Sequence, residues 1–143
     1  MMDHAIDFLW YFHHGWRRAD GWKPLFWVAS CKRDVMAFPE EVQDVMGYAL
    51  DLAQRGGKHP DAKPLKGFGG GGVLEVVDDF DGDTYRAVYT VRFEGAVFAL
   101  HAFQKKSKKG IKTDRGDVDK IMRRLKRAEE AYEAWKRERE RDG

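Results

Sequence analysis

Glu75, Arg86 and His101 are the side chains of this chain best suited to chemistry, and a run of lysines follows them. A carboxylate can take a proton, and an imidazole can take or give one near neutral pH. A guanidinium can grip phosphate oxygens at two points and stabilise charge that develops there. Residues 101–112 add Lys105, Lys106, Lys108, Lys109 and Lys112 with no acid among them. Residues 75–83, by contrast, hold five acids and no base. This set suits RNA cleavage. Glu75 or His101 would take the proton of a 2′-hydroxyl, and His101 or a lysine would protonate the leaving oxygen. The lysines would draw in the phosphate backbone with salt-sensitive affinity, and Phe103 would stack a base.

Three short strands must position these groups: residues 73–79, 84–93 and 96–103. Asp81-Gly82 is a strong two-residue hairpin signal, and Glu94-Gly95 marks a second turn. Two-residue turns set register. Val77 then faces Arg86 and Glu75 faces Val88, while on the next strand Val88 faces His101 and Arg86 faces Phe103. Glu75 and His101 each lie diagonal to Arg86, roughly 7–8 Å away between backbones. Alternation gives one nearly pure apolar face: Leu74, Val76, Tyr85, Ala87, Tyr89, Val91, Phe93, Ala96, Phe98, Leu100 and Ala102. The other face is mixed and partly wet, and it carries Glu75, Arg86, His101, Phe103 and Lys105. Tyr89, the nearest phenol, falls on the apolar face and reads as core.

Simpler readings stand beside this one. Glu75 and Arg86 also fit a cross-strand ion pair on a solvated sheet. His101 also fits a half-buried strand histidine. The lysine run also fits a solvated loop or an anchor for an acidic partner.

Upstream, residues 23–30 read as a first strand, with Pro24 at its start. Ser30 is a candidate cap for a short helix over 31–37. Pro39, Glu40 and Glu41 open a longer helix, and Val42, Val45, Met46, Ala49, Leu50 and Ala53 line one face. Gly56-Gly57 stop it. Residues 58–72 read as a glycine-rich loop. No Gly-Lys-Ser/Thr follows and a strand comes next, which excludes a P-loop. The loop is either a connector or a flap that touches a nucleic-acid backbone through Lys63 and Lys66. The last helix starts at Thr113 or Asp114 and carries Val118, Ile121, Met122, Leu125, Ala128, Tyr132 and Trp135 on one stripe. Beyond Trp135 it is all charge and expected to fray.

The chain has 143 residues, 43% of them hydrophobic, which suits one domain with a modest core. A formal charge of +2 means that nucleic-acid affinity must come from local clustering. The single cysteine, Cys31, allows no internal disulfide and fits a reducing cytoplasm. No apolar run approaches a membrane span. Residues 1–22 are rich in aromatics and contain His4, His13 and His14, but adjacent histidines diverge on a helix, so no metal is expected. This segment reads as an extension, helical or ill-ordered, of a domain over 23–143. No cofactor is expected.

Three segments carry a resemblance: Val-Leu-Glu-Val-Val (73–77), Asp-Gly-Asp-Thr-Tyr-Arg-Ala-Val-Tyr (81–89) and Leu-His-Ala-Phe-Gln-Lys-Lys-Ser-Lys-Lys (100–109). Together with Lys-Pro-Leu-Lys-Gly (63–67), they resemble the RelE/ParE superfamily of toxins, in particular its phage-derived HigB-like members. The likeness covers about residues 23 to 136. It implies an α+β fold with two N-terminal helices packed on an antiparallel sheet and a C-terminal helix. It also implies the toxin of a type II toxin–antitoxin pair that cuts mRNA on the ribosome without a metal, held in check by a helix-turn-helix antitoxin. Arg86 matches the phosphate-binding arginine of such toxins, and Lys106 falls near a second basic catalytic position. Glu75 matches relatives that use a glutamate base. Val77 stands where a typical relative has arginine. A gyrase-inhibiting toxin of the ParE kind, or an inactive phage-derived RNA- or protein-binding module, fits the same fold.

Overall fold

The computed structural model describes residues 22–105 and 112–142. Its elements are β1 (Leu25–Trp27), α1 (Cys31–Met36), α2 (Glu40–Gln54), β2 (Ala62–Pro64), β3 (Val73–Phe80), β4 (Asp83–Thr90), β5 (Val97–Lys105) and α3 (Arg115–Asp142). The class is α+β. The five strands form one sheet in the order β1-β5-β4-β3-β2.

The expected antiparallel sheet is corrected to a mixed one. β1 lies parallel to β5, with Phe26 opposite Phe98, while the other pairs are antiparallel. β1 is also shorter than its apolar run, because Ala29 turns to φ 52 and ends the extended backbone. At the other edge, part of the expected loop is a strand. β2 pairs with β3 and sets Lys63 opposite Glu75.

The β3–β4 hairpin follows from its turn. Asp81 and Gly82 both have positive φ, 53 and 86, as a two-residue turn of this hand needs. Val77 faces Arg86 and Glu75 faces Val88, as the spacing predicts. On β5, Arg86 faces Phe103 and Val88 faces His101. A bulge then shifts the ladder, so that Tyr89 faces Ala99 and Thr90 faces Phe98. The extra residue reverses the faces assigned to β5 residues before the bulge. Val97 and Ala99 join Tyr89 in one core, and Ala96, Phe98 and Leu100 join Val88 in the other.

Two cores therefore flank the sheet. On one side Leu25, Trp27 and Tyr89 of the sheet cluster with Cys31 and Val35 of α1 and Val42, Met46 and Leu50 of α2. On the other, Phe26, Phe98 and Leu100 of the sheet cluster with Ile121, Ala128 and Tyr132 of α3. The second face was expected to be mixed and partly wet, and it is instead covered. The apolar stripe of α3 needs an apolar partner, and full burial of Phe98 and Ile121 contributes roughly 1.5–3 kcal/mol each. Phe26 stacks on Phe98 at 4.7 Å, and the Tyr132 hydroxyl donates to the Glu94 carbonyl at 2.7 Å. α3 does not stop near Trp135 but runs to Asp142.

α2 ends where predicted. Gly56 adopts φ 89, and the Gly57 N–H donates to the Leu52 carbonyl at 2.7 Å. The buried side chain of Gln54 donates to the Lys23 carbonyl at 2.8 Å, which ties the entry of the domain to this helix end. Residues 1–21 lie outside the described residues.

Candidate functional site

Strand register sets Glu75 and Arg86 on neighbouring strands with side chains on one face. The Arg86 Nη1 donates to Glu75 Oε1 at 3.2 Å. Arg86 is only 4% exposed, and the Glu75 side chain 12%. A patch expected to be open is thus closed, because the segment entering α3 lies across it. The Thr113 hydroxyl donates to Glu75 Oε2 at 2.5 Å and accepts from Arg86 Nη1 at 3.3 Å.

α3 needs one cap, and Asp114 supplies it. Its Oδ1 accepts from the Asp117 N–H at 3.0 Å, while its carbonyl accepts from the Val118 N–H. Capping by Asp114 leaves the Thr113 hydroxyl free to turn to Glu75. Asp114 also pairs with Lys105 at 3.3 Å. Its carboxyl is held below the usual range, first by the Asp117 N–H and then by Lys105.

His101 is bonded to two side chains of α3. It is 3% exposed and engaged at both ring nitrogens. Nδ1 lies 3.3 Å from Arg124 Nη1, and arginine can only donate. Nδ1 is therefore the acceptor, and Nε2 carries the hydrogen that goes to Asp117 Oδ1 at 2.8 Å. Burial, partly offset by the Asp117 hydrogen bond, holds its pKa below the ordinary value. A neutral imidazole with both nitrogens occupied is not poised to exchange protons with a substrate.

Arg124 extends this network across the molecule. It donates to the Leu100 carbonyl at 2.9 Å and to Ser30 Oγ at 3.1 Å, and Ser30 donates to Asp34 at 2.8 Å. Ser30 sits at the head of α1, but its side chain makes no backbone cap there.

The other candidates divide. Lys63 is exposed beside Glu75, and Lys66 and Lys112 are exposed. Lys105 is half-buried and bound to Asp114 and to the Lys112 carbonyl. Phe103 is half-buried and stacks on His101 at 4.6 Å, so one ring face is already taken. Lys106, Lys108 and Lys109 lie outside the described residues. Tyr89 is core, and burial pushes its pKa up to about 12. Burial raises the Cys31 thiol too, which keeps it inert. Among the described residues, no group of three metal-ligating side chains is placed to hold an ion, and no helix is long and apolar enough to cross a membrane.

Sequence reasoning overlooked Asp117, Arg124 and the role of Thr113. A signal existed: Asp117 and Arg124 share a helical face with Ile121 and Ala128, and polar residues beside an apolar stripe need partners.

The domain is therefore an α+β sheet protein with a carboxylate–guanidinium pair under the start of its last helix. Residues 33–126 match the family model described as Phage derived protein Gp49-like (DUF891). That span covers about two thirds of the chain and includes Glu75, Arg86, His101 and Thr113. The chain belongs to this phage-derived family. Membership supports a toxin of a toxin–antitoxin pair, with an antitoxin as its partner. No curated protein and no solved structure matches the chain.

Proposed function

We propose that the chain is a toxin with the RelE-like layout, of the HigB-like kind, that cuts mRNA on the ribosome in the cytoplasm. Its toxin domain spans residues 23–143, and residues 1–22 are an extension. A helix-turn-helix antitoxin is the expected neutralising partner. The observation that carries this reading is the Glu75–Arg86 pair with a hydroxyl held between them.

In the proposed reaction Glu75 takes the proton of the ribose 2′-hydroxyl, and the 2′-oxygen forms a bond to the adjacent phosphorus. Arg86 holds the phosphate oxygens as negative charge builds. The bond to the 5′-oxygen breaks, and that oxygen takes a proton from Lys105 or Lys106. The products are a 2′,3′-cyclic phosphate and a 5′-hydroxyl. Lys63, Lys66 and Lys112 draw in the RNA backbone, Lys108 and Lys109 are assigned the same role from the sequence, and Phe103 offers its free ring face to a base. His101 is reassigned from acid–base work to holding α3 through Asp117 and Arg124.

The test is induced expression in bacteria with mapping of mRNA 5′ ends. Growth arrest with new 5′-hydroxyl ends is expected. Glu75→Gln, close in shape, should lower cleavage at least about 100-fold, as loss of a general base does. Unchanged cleavage in Glu75→Gln would sink the assignment. Val77, in the place of an arginine, and the burial of Arg86 favour a second reading, a non-catalytic binding module. Normal growth under unopposed expression would support it. Arrest with intact mRNA and a DNA-damage response would point to gyrase instead.

A further inference from the structure

The geometry points to Thr113 as an internal stand-in for the substrate's reacting hydroxyl, so that the free chain occupies its own nucleophile subsite and RNA must displace it. This rests on the proposed cleavage reaction and adds to it a regulation of the same site.

A reacting ribose hydroxyl needs two contacts here: a carboxylate to receive its proton and a cation beside it. The Thr113 hydroxyl makes both, donating to Glu75 Oε2 and accepting from Arg86 Nη1. It is an aliphatic alcohol of the same class as the 2′-hydroxyl, but no phosphorus lies next to it to be attacked. The occupied state is inert.

The residues on either side hold this plug in place through the same groups that would bind RNA. Lys105 reaches the Lys112 carbonyl at 3.4 Å and Asp114 at 3.3 Å. A substrate phosphate would compete with Asp114 for that ammonium. Asp114 is 59% exposed, so water and RNA can both reach the pair. The carboxylate of Asp114 thus stands to a phosphate as the Thr113 hydroxyl stands to a 2′-hydroxyl. Two adjacent residues mimic two adjacent groups of one nucleotide.

A self-occupied site lowers apparent affinity by the fraction of molecules that are open. Removing two hydrogen bonds to charged groups should raise that fraction at least about tenfold. The experiment measures cleavage of an mRNA bound to bacterial ribosomes by the full chain and by Thr113→Val, Thr113→Ala and Thr113→Ser, each first shown to be folded by circular dichroism. The expected result is a KM at least about tenfold lower for the valine and alanine variants with kcat unchanged, and wild-type values for the serine variant. Cleavage with an unchanged or raised KM, or with kcat lowered, overturns the inference and leaves the proposed function standing. No cleavage by any form overturns both.

Discussion

At the scale of single residues, His101 shows how little a residue type says without its neighbours. Its ring faces Asp117 on one side and Arg124 on the other, with Lys120 nearby. Burial favours the neutral form. An unfolded chain binds a proton near pH 6.5, about the ordinary histidine value, whereas the folded chain resists until the pH is lower. Stability from this residue is therefore complete above the unfolded value and is lost as pH falls through the folded one. Urea denaturation between about pH 7.5 and pH 5.5, which brackets that value, should show wild type losing more stability than His101→Gln. Equal losses would mean that another group titrates. The same neighbours made the bonding of His101 to α3 illegible in the sequence. Asp117 is 16 residues away and Arg124 is 23, and no local pattern reports either.

At the scale of elements, α3 is held by two devices of different character. Its apolar stripe packs on the sheet without direction, while Arg124 supplies specific bonds to the Leu100 carbonyl, His101 and Ser30. Arg124 has a lowered pKa, chiefly from burial, and loss of its donors would leave a carbonyl and a hydroxyl short of partners. Arg124→Met keeps much of the aliphatic bulk and removes the charge. It should cost about 2–3 kcal/mol, read from the urea midpoint at constant m-value. A smaller loss than Ser30→Ala alone would show that packing, not the network, holds the helix. Most of the stripe was legible in the sequence, since Val118, Ile121, Leu125, Ala128, Tyr132 and Trp135 recur at helical spacing, but Met122, assigned to the same stripe, is exposed. Which sheet face it covers was not, because either face presents apolar residues.

At the scale of the whole molecule, the sheet between two helical layers makes the site depend on the last helix. Both layers are needed to bury the sheet, and the start of α3 closes over Glu75 and Arg86 in doing so. Ending the chain after Lys136 removes, among the described residues, only exposed ones and should change stability by less than about 0.5 kcal/mol. Ending it after Lys126 removes Ala128, Ala131, Tyr132 and Trp135 and uncovers Phe26 and Phe98. That form should be insoluble or unfolded, as soluble yield and thermal denaturation would show. A soluble, cooperatively folded product would mean that α3 is dispensable to the core.

The sequence by itself determined what is local. Alternation and the Asp81-Gly82 turn set the hairpin register, and that register brought Glu75 beside Arg86, because a two-residue turn leaves little freedom in pairing. The helix stop at Gly56-Gly57 was equally local. Only the tertiary structure decided the bulge in β5, the parallel pairing of β1 and the burial of the pair beneath α3. Each of these depends on packing between distant segments. The bulge exchanges the faces of residues before it so that Phe98 and Leu100 can meet α3. Ser30 and Arg124 are bonded across 94 residues of chain. Whether a charged pair stands open or closed depends on what covers it, and here the cover is Thr113, a residue whose position in the sequence suggested only the start of a helix.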